Sequence, residues 1–169
     1  VGESREHCIV IGGLRMEGKK KIDVNVSNLT LRESNSAGVY GFYGASMHLN
    51  NVSVENSEGC GVYVYGSKRS TMKNCNVSHS KWSGLYVRDG LMTVDGNGTT
   101  IHHNGTGSGH SYGLRTNDSS SSIHLVSPLT KERISINNDG SQNYGGNGTI
   151  KSVDKDGKVL EVVYDGRPR

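Results

Sequence analysis

The sequence predicts an all-β solenoid of about six coils, and three observations lead there. Asparagines recur at Asn28, Asn51, Asn74 and Asn97, each 23 residues after the last. Gly38, Gly61 and Gly84 keep the same interval, and each precedes an apolar residue and a tyrosine: Val39-Tyr40, Val62-Tyr63 and Leu85-Tyr86. The composition points the same way, with 24 glycines, 2 prolines and only 32% hydrophobic residues in a chain of 169, too little apolar bulk for a helix bundle. A period in the low twenties, with short strands and Gly or Asn corners, makes each repeat one coil. No coil buries its apolar face alone, so neighbours stack into parallel sheets about 4.8 Å apart per rung.

Taken in order, the N-terminal stretch offers one short apolar run, Ile9-Val10-Ile11, with neither a cap helix nor the charged start and cleavage site of a signal peptide. An uncapped solenoid end exposes strand edges, so the expectation is a fragment or a subunit. The repeats then open Asn-Leu-Thr-Leu-Arg-Glu-Ser at Asn28, Asn-Val-Ser-Val-Glu-Asn-Ser at Asn51 and Asn-Cys-Asn-Val-Ser-His-Ser at Asn74. Their alternation marks short strands. Stacking places Leu29, Val52 and Cys75 in one inward column, Leu31, Val54 and Val77 in a second, and Val39, Val62, Leu85 and Leu114 in a third. The spaced asparagines form a ladder at one corner, where their amides serve the turn backbone.

The interval from Gly84 to Gly113 is 29, which places a six-residue insertion within His102 to Tyr112, a loop rich in Gly, Ser and His. After Ile150 the repeat fades, and Asp156-Gly157 between Val153 and Val159 reads as a hairpin turn. Residues 1–150 are therefore predicted to be the β-helix, and residues 151–169 a C-terminal hairpin cap and tail.

The pattern Val-x-Asn-Ser-x-x-x-Gly-Val-x-Val, clearest from Val54 to Val64 and relaxed in its neighbours, resembles the right-handed parallel β-helix of the pectin-lyase-like class over roughly residues 22 to 150. The resemblance implies a single-stranded right-handed solenoid and says little about activity. The segment Ser119 to Gly146 also resembles β-helix proteins of large eukaryotic DNA viruses and algae, which implies a place in a virion or at an extracellular surface.

Charge and cysteines narrow the partners. The net charge is +3, and the basic residues are scattered apart from Lys19, Lys20 and Lys21, so no phosphate-binding stripe forms and nucleic acid is not expected. No apolar run approaches the ~20 residues that span a bilayer, so no membrane insertion is expected. Cys8, Cys60 and Cys75 are odd in number and lack metal spacing; they read as small apolar residues. Asn-x-Ser/Thr triplets begin at Asn25, Asn28, Asn51, Asn76, Asn97, Asn104, Asn117 and Asn147, and turn asparagines beside outward Ser/Thr generate them without a glycan.

The outward positions carry the functional expectation. Tyr40, Tyr63, Tyr86 and Arg115 share one column, and Phe42, Tyr65 and Arg88 share the next, ending at Asn117. Such a stripe suits a carbohydrate or another protein subunit, including a second copy of the chain. Otherwise it is a tyrosine ladder that stabilises its own sheet.

A further column aligns Arg32, Glu55, Ser78 and His102, flanked by Glu33, Asn56, His79 and His103. It holds acid and base types, but long loops to wall a cleft are missing, as are an acidic cluster for calcium and a paired-Asp motif. The alternative to a binding scaffold is a carbohydrate-active enzyme (polysaccharide lyase, epimerase or hydrolase) or a fragment of one, with His102, His103, His110 and Glu55 as its catalytic residues. His102, His103 and His110 match no structural metal spacing, Gly105, Gly107 and Gly109 form no phosphate loop, and neither a metal nor a cofactor is expected.

Overall fold

The computed structural model describes residues 4–18, 21–107 and 109–160. Lys19 and Lys20, which belong to the basic run, and the tail 161–169 lie outside the described residues.

Alternating inward and outward side chains produce short strands, and every corner turns the chain by roughly a third of a circuit. The first coil runs β1 (Ile9–Ile11), β2 (Leu14–Glu17) and the first half of β3 (Ile22–Arg32). The second takes the rest of β3, β4 (Val39–Phe42) and the first half of β5 (Ala45–Glu55); the third takes the rest of β5, β6 (Val62–Tyr65) and β7 (Ser70–Lys73). The fourth holds β8 (Asn76–Ser78), β9 (Leu85–Arg88) and β10 (Leu91–Asp95); the fifth holds β11 (Thr100–His102), β12 (Tyr112–Thr116) and β13 (Ser122–Val126). The sixth opens with a four-residue helix, α1 (Lys131–Ile134), then β14 (Ser135–Ile136), β15 (Gln142–Gly146) and β16 (Thr149–Val153).

Each strand pairs in parallel with its counterpart one coil away, giving three stacked faces. Face one contains β1, the second halves of β3 and β5, β8, β11 and β14. Face two contains β2, β4, β6, β9, β12 and β15. Face three contains the first halves of β3 and β5, β7, β10, β13 and β16.

The inward columns meet along the axis. Leu31, Val54 and Val77 on face one, Val39, Val62, Leu85 and Leu114 on face two, and Met47, Leu49, Met72, Val94 and Leu125 on face three are buried. Val52 and Cys75 are buried in the remaining predicted column, and Leu29 packs against the same core.

The repeated glycine is required by space. A Cβ on Gly61 would overlap Val77 Cγ1, and one on Gly38 would overlap Val54 Cγ1, because the chain entering face two crosses close over the face-one core. The corners are set by left-handed backbone instead. Asn28, Asn51 and Asn74 have φ of 56°, 53° and 51° between faces three and one, and Glu33, Asn56, His79 and His103 have φ of 52–59° on leaving face one. Such backbone costs a non-glycine residue roughly 1–2 kcal/mol, and the rung-to-rung bonds offset it: Glu33 N–H donates to Glu55 O at 3.0 Å and Asn56 N–H to Ser78 O at 3.1 Å.

The asparagine ladder is shorter than predicted. Asn51 Nδ2 donates to Asn28 Oδ1 at 3.0 Å. The offset between rungs then changes from 22 residues (Lys73 to Asp95) to 24 (Asn76 to Thr100), so Asn97 falls in an exposed turn that bulges from the corner. Asn74 Oδ1 accepts from Gly98 N–H at 3.2 Å in its place. A second asparagine stack lies outside the 23-residue interval: Asn104 is buried and donates to Val77 O and His102 O at 3.1 and 3.0 Å, while Asn138 Oδ1 accepts from the Asn104 amide at 3.1 Å. Beyond β16, Gly157 N–H donates to Asp154 O at 3.0 Å and Val153 bridges Val159 in antiparallel fashion.

Candidate binding face

Face two carries the aromatic stripe because its strands put every second residue outward. Register aligns Arg15, Tyr40, Tyr63, Tyr86 and Arg115 in one column, and Glu17, Phe42, Tyr65 and Arg88 in the next. Tyr40 and Tyr63 stack with centroids 4.8 Å apart and planes 12° from parallel; Tyr63 and Tyr86 do so at 4.7 Å and 14°. The column is closed by guanidinium groups, Arg15 at 5.3 Å over Tyr40 and Arg115 at 4.8 Å over Tyr86.

This geometry decides what the tyrosines offer. Both faces of Tyr63 are covered by its neighbours, and the outer faces of Tyr40 and Tyr86 by arginines. What points outward is ring edges and hydroxyls rather than open platforms. Burial within the stack pushes the phenols of Tyr40, Tyr63 and Tyr86 above their ordinary pKa. The Tyr86 hydroxyl donates to Asn117 Oδ1 at 2.7 Å.

The second column is looser. Phe42 and Tyr65 lie 5.2 Å apart with planes inclined by 47°, and Arg88 sits 5.1 Å over Tyr65. Tyr43, just past β4 on a left-handed corner, joins both rings and remains 54% exposed. At the opposite edge of face two, Trp82 precedes β9 and is 57% exposed.

Sequence reasoning missed four of these residues. Arg15 pairs with Tyr40, and Glu17 with Phe42, across an offset of 25 residues, which the 23-residue period does not find. Tyr43 and Trp82 lie at corners, outside the strand alternation; the signal that marks Trp82 is that it is the sole tryptophan of the chain.

The predicted acid–base column is in register as expected, Arg32 to Glu55 to Ser78 to His102. Its members do not make one reactive centre. Glu55 is engaged by Arg32, whose Nη2 lies 2.8 Å from Oε2, and it stands two rungs, roughly 10 Å, from His102. His102 and His103 touch, Nδ1 to Nδ1 at 2.7 Å, and the third imidazole beside them is His79, stacked on His103 at 5.3 Å. His110 is exposed in the insertion. Burial, then the neighbouring His103 and His79, hold the His102 pKa below its ordinary value.

A carboxylate–imidazole–hydroxyl line also runs across face three. Asp23 Oδ1 meets His48 Nε2 at 3.0 Å and His48 Nδ1 meets Thr71 Oγ1 at 2.9 Å. Asp23 is shared with Arg69 at 2.8 Å, and hydrogen bonds from His48 and Arg69 lower its pKa. Thr71 lies in a ladder between His48 and Thr93, where the backbone N–H groups are committed to sheet pairing. The line links three successive rungs of the face through side-chain hydrogen bonds.

Among the described residues, no three His, Cys, Asp or Glu side chains form a group set to hold a metal ion, and no helix is long and apolar enough to cross a membrane. A family model described as the right handed beta helix region matches residues 12–153. No curated protein and no solved structure matches the chain, so the narrower likeness to viral and algal β-helix proteins gains nothing from them.

Proposed function

The chain belongs to the right handed beta helix family, and from that premise we propose that it is a non-catalytic scaffold whose face two docks a second copy of itself. The observation that carries the reading is the placement of aromatics: a stacked stripe fills the centre of face two, and Tyr43 and Trp82, both more than half exposed, border its two edges. Tyr, Trp, Phe and Arg are the residues that concentrate binding energy in protein interfaces. Six rungs give a face about 24 Å tall, and the corner rings widen it toward the ~800 Å² that one partner contributes to a standard interface.

The charges favour a copy over a foreign partner. In the second column, Glu17, Phe42, Tyr65 and Arg88 follow one another rung by rung. A two-fold that sets Phe42 of one chain against Tyr65 of the other also sets Glu17 against Arg88, so the column is complementary to itself. A carbohydrate ligand is less well served, because the stacked tyrosines have spent their faces on one another. A virion or a cell surface is the setting in which such a rigid repeat would be used.

Sedimentation velocity across protein concentration, repeated with acidic and neutral polysaccharides, tests this. A dimer that Tyr63→Ala/Tyr86→Ala weakens, that Glu17→Arg or Arg88→Glu breaks and that the double charge swap restores would support the proposal. A monomer shifted by one polysaccharide would replace it with a glycan-binding module and call for an activity assay on that polymer. A monomer indifferent to both would overturn it.

A further inference from the structure

The stack on face two also sets a chemistry for its phenols. Tyr40, Tyr63 and Tyr86 belong to coils two, three and four, and register makes them vertical neighbours. Their centroids lie 4.8 and 4.7 Å apart with planes 12° and 14° from parallel, so each ring meets the next face to face. Arg15 and Arg115 cover the outer faces of Tyr40 and Tyr86. All three side chains are half-buried, with their hydroxyl-bearing edges outward.

A phenol that loses one electron and one proton becomes a phenoxyl radical, whose unpaired spin is shared between the oxygen and the ortho and para carbons. Two such radicals combine through ortho carbons when their π faces are in contact. Holding the partners at contact replaces a bimolecular encounter by an intramolecular step. The stack supplies that arrangement twice. A guanidinium does not couple with a phenoxyl radical, so the faces it covers lead nowhere and a radical on Tyr40 or Tyr86 is left with Tyr63. The other tyrosines among the described residues are less well set. Tyr43 and Tyr65 lie 5.3 Å apart and inclined by 45°, Tyr112 is set against Gly145, and Tyr144 is held by Lys131 and Glu132.

We propose that the stripe is an oxidative cross-linking site, at which a peroxidase-type one-electron oxidant joins Tyr63 to Tyr40 or to Tyr86 as dityrosine. Two phenols each give up one electron and one proton, and one hydrogen peroxide takes up both pairs and leaves as two waters. The new bond joins an ortho carbon of each ring, and aromaticity returns as the hydrogen on each coupled carbon moves to its phenol oxygen. The product ties adjacent coils together across a 23-residue interval. Such a link closes a loop of chain and constrains the unfolded state as a disulfide does, in a chain whose three cysteines are unpaired. It forms within one chain, so it stands apart from the docking of a second copy.

Treating the dilute full chain with a haem peroxidase and hydrogen peroxide tests the site, in parallel with Glu17→Arg, which breaks the proposed dimer and leaves face two open. The expected product is monomeric on a denaturing gel, shows dityrosine fluorescence, has lost two hydrogen atoms by mass and unfolds at a higher urea midpoint. Trypsin with a glutamate-specific protease identifies the pair, because Glu55 and Glu58 lie between Tyr40 and Tyr63, and Lys68 and Lys81 between Tyr63 and Tyr86. Tyr63→Phe keeps a ring in the stack but leaves Tyr40 and Tyr86 two rungs apart, roughly 10 Å, and should lower the yield about tenfold or more. Tyr65→Phe should leave it unchanged. The proposal is overturned if neither the parent chain nor Glu17→Arg yields dityrosine, or if the links join only separate chains. It is equally overturned if the yield survives Tyr63→Phe with unaltered circular dichroism, or if Tyr65→Phe abolishes it as well.

Discussion

Asn51 donates its side-chain amide to the Asn28 side-chain carbonyl one coil earlier, at 3.0 Å, while both residues hold left-handed backbone. The pair does two tasks at one corner: it tolerates a conformation most residues resist and it satisfies polar groups between rungs. Asn51→Ala loses the hydrogen bond and places a Cβ-bearing residue without that compensation in the same conformation. The expected cost is about 2 kcal/mol, read as a lower urea midpoint. Asn97→Ala, in the exposed bulge, should stay within about 0.5 kcal/mol of the parent. Equal losses at the two sites would refute the distinction between ladder and bulge.

Gly61 gives a test of the crossing between faces. Its missing Cβ leaves room for Val77 Cγ1, and its N–H donates to Ser83 O at 3.0 Å, which restrains the backbone from moving away. Gly61→Ala is expected to cost about 1–3 kcal/mol through overpacking. Adding Val77→Ala removes the nearest of the atoms in the way, leaving Gly84 O at 2.8 Å and Ser80 Oγ at 2.9 Å, so the double variant should lose less than the sum of the two single changes without returning to the parent's stability. Gly109, with nothing within 4 Å of its absent Cβ, is the control and should accept alanine without loss. Strict additivity at Gly61 and Val77 would dismiss the steric account.

The cysteines should separate by burial. Burial pushes the Cys60 thiol up to about 11 and raises that of Cys75 as well, whereas Cys8 is only half-buried near the start of the described chain. The thiolate is the reactive species, so at pH 8 a disulfide reagent should titrate Cys8 in the native chain and reach Cys60 and Cys75 only after unfolding. Rapid release of all three equivalents from folded protein would contradict the packed columns.

These sites also show what the linear sequence can convey. The 23-residue recurrence made Leu31, Val54 and Val77 legible as a column, and Tyr40, Tyr63 and Tyr86 as another, because equal spacing becomes vertical stacking when every coil has the same length. Where a coil changes length the inference fails. Asn97 keeps the interval yet loses the corner, since the register shifts by two residues between Asp95 and Thr100, on either side of it. Arg15 sits in the tyrosine column without keeping the interval. The left-handed corners and the Asn104–Asn138 stack depend on turns whose geometry no alternation encodes. His79 and His103, 24 residues apart, fall in one flanking column of the repeat, and the rungs bring their rings to a stacking distance of 5.3 Å.

Stability should respond to pH in two windows with the same sign. His124 lies on face three between Thr93 and Lys151, and burial, with a smaller effect of Lys151, lowers its pKa below the ordinary 6.5. In the unfolded chain His124 returns to about 6.5, so below that value the unfolded state binds more protons than the folded one. The stabilising contribution is therefore complete above about pH 6.5 and is lost as pH falls through the folded value. Asp118 behaves alike further down: hydrogen bonds from Ser120 and Ser121, with Asn117 adding to them, bring it to about 2 from 3.8, so its contribution disappears between those two values. Urea midpoints at pH 7.5, 6.0 and 5.0 should decline in the parent chain and decline less steeply in His124→Gln, whose amide does not titrate. An identical decline in the variant would remove His124 as a source of the first window, leaving the Asp118 window to be checked separately by acid unfolding of Asp118→Asn.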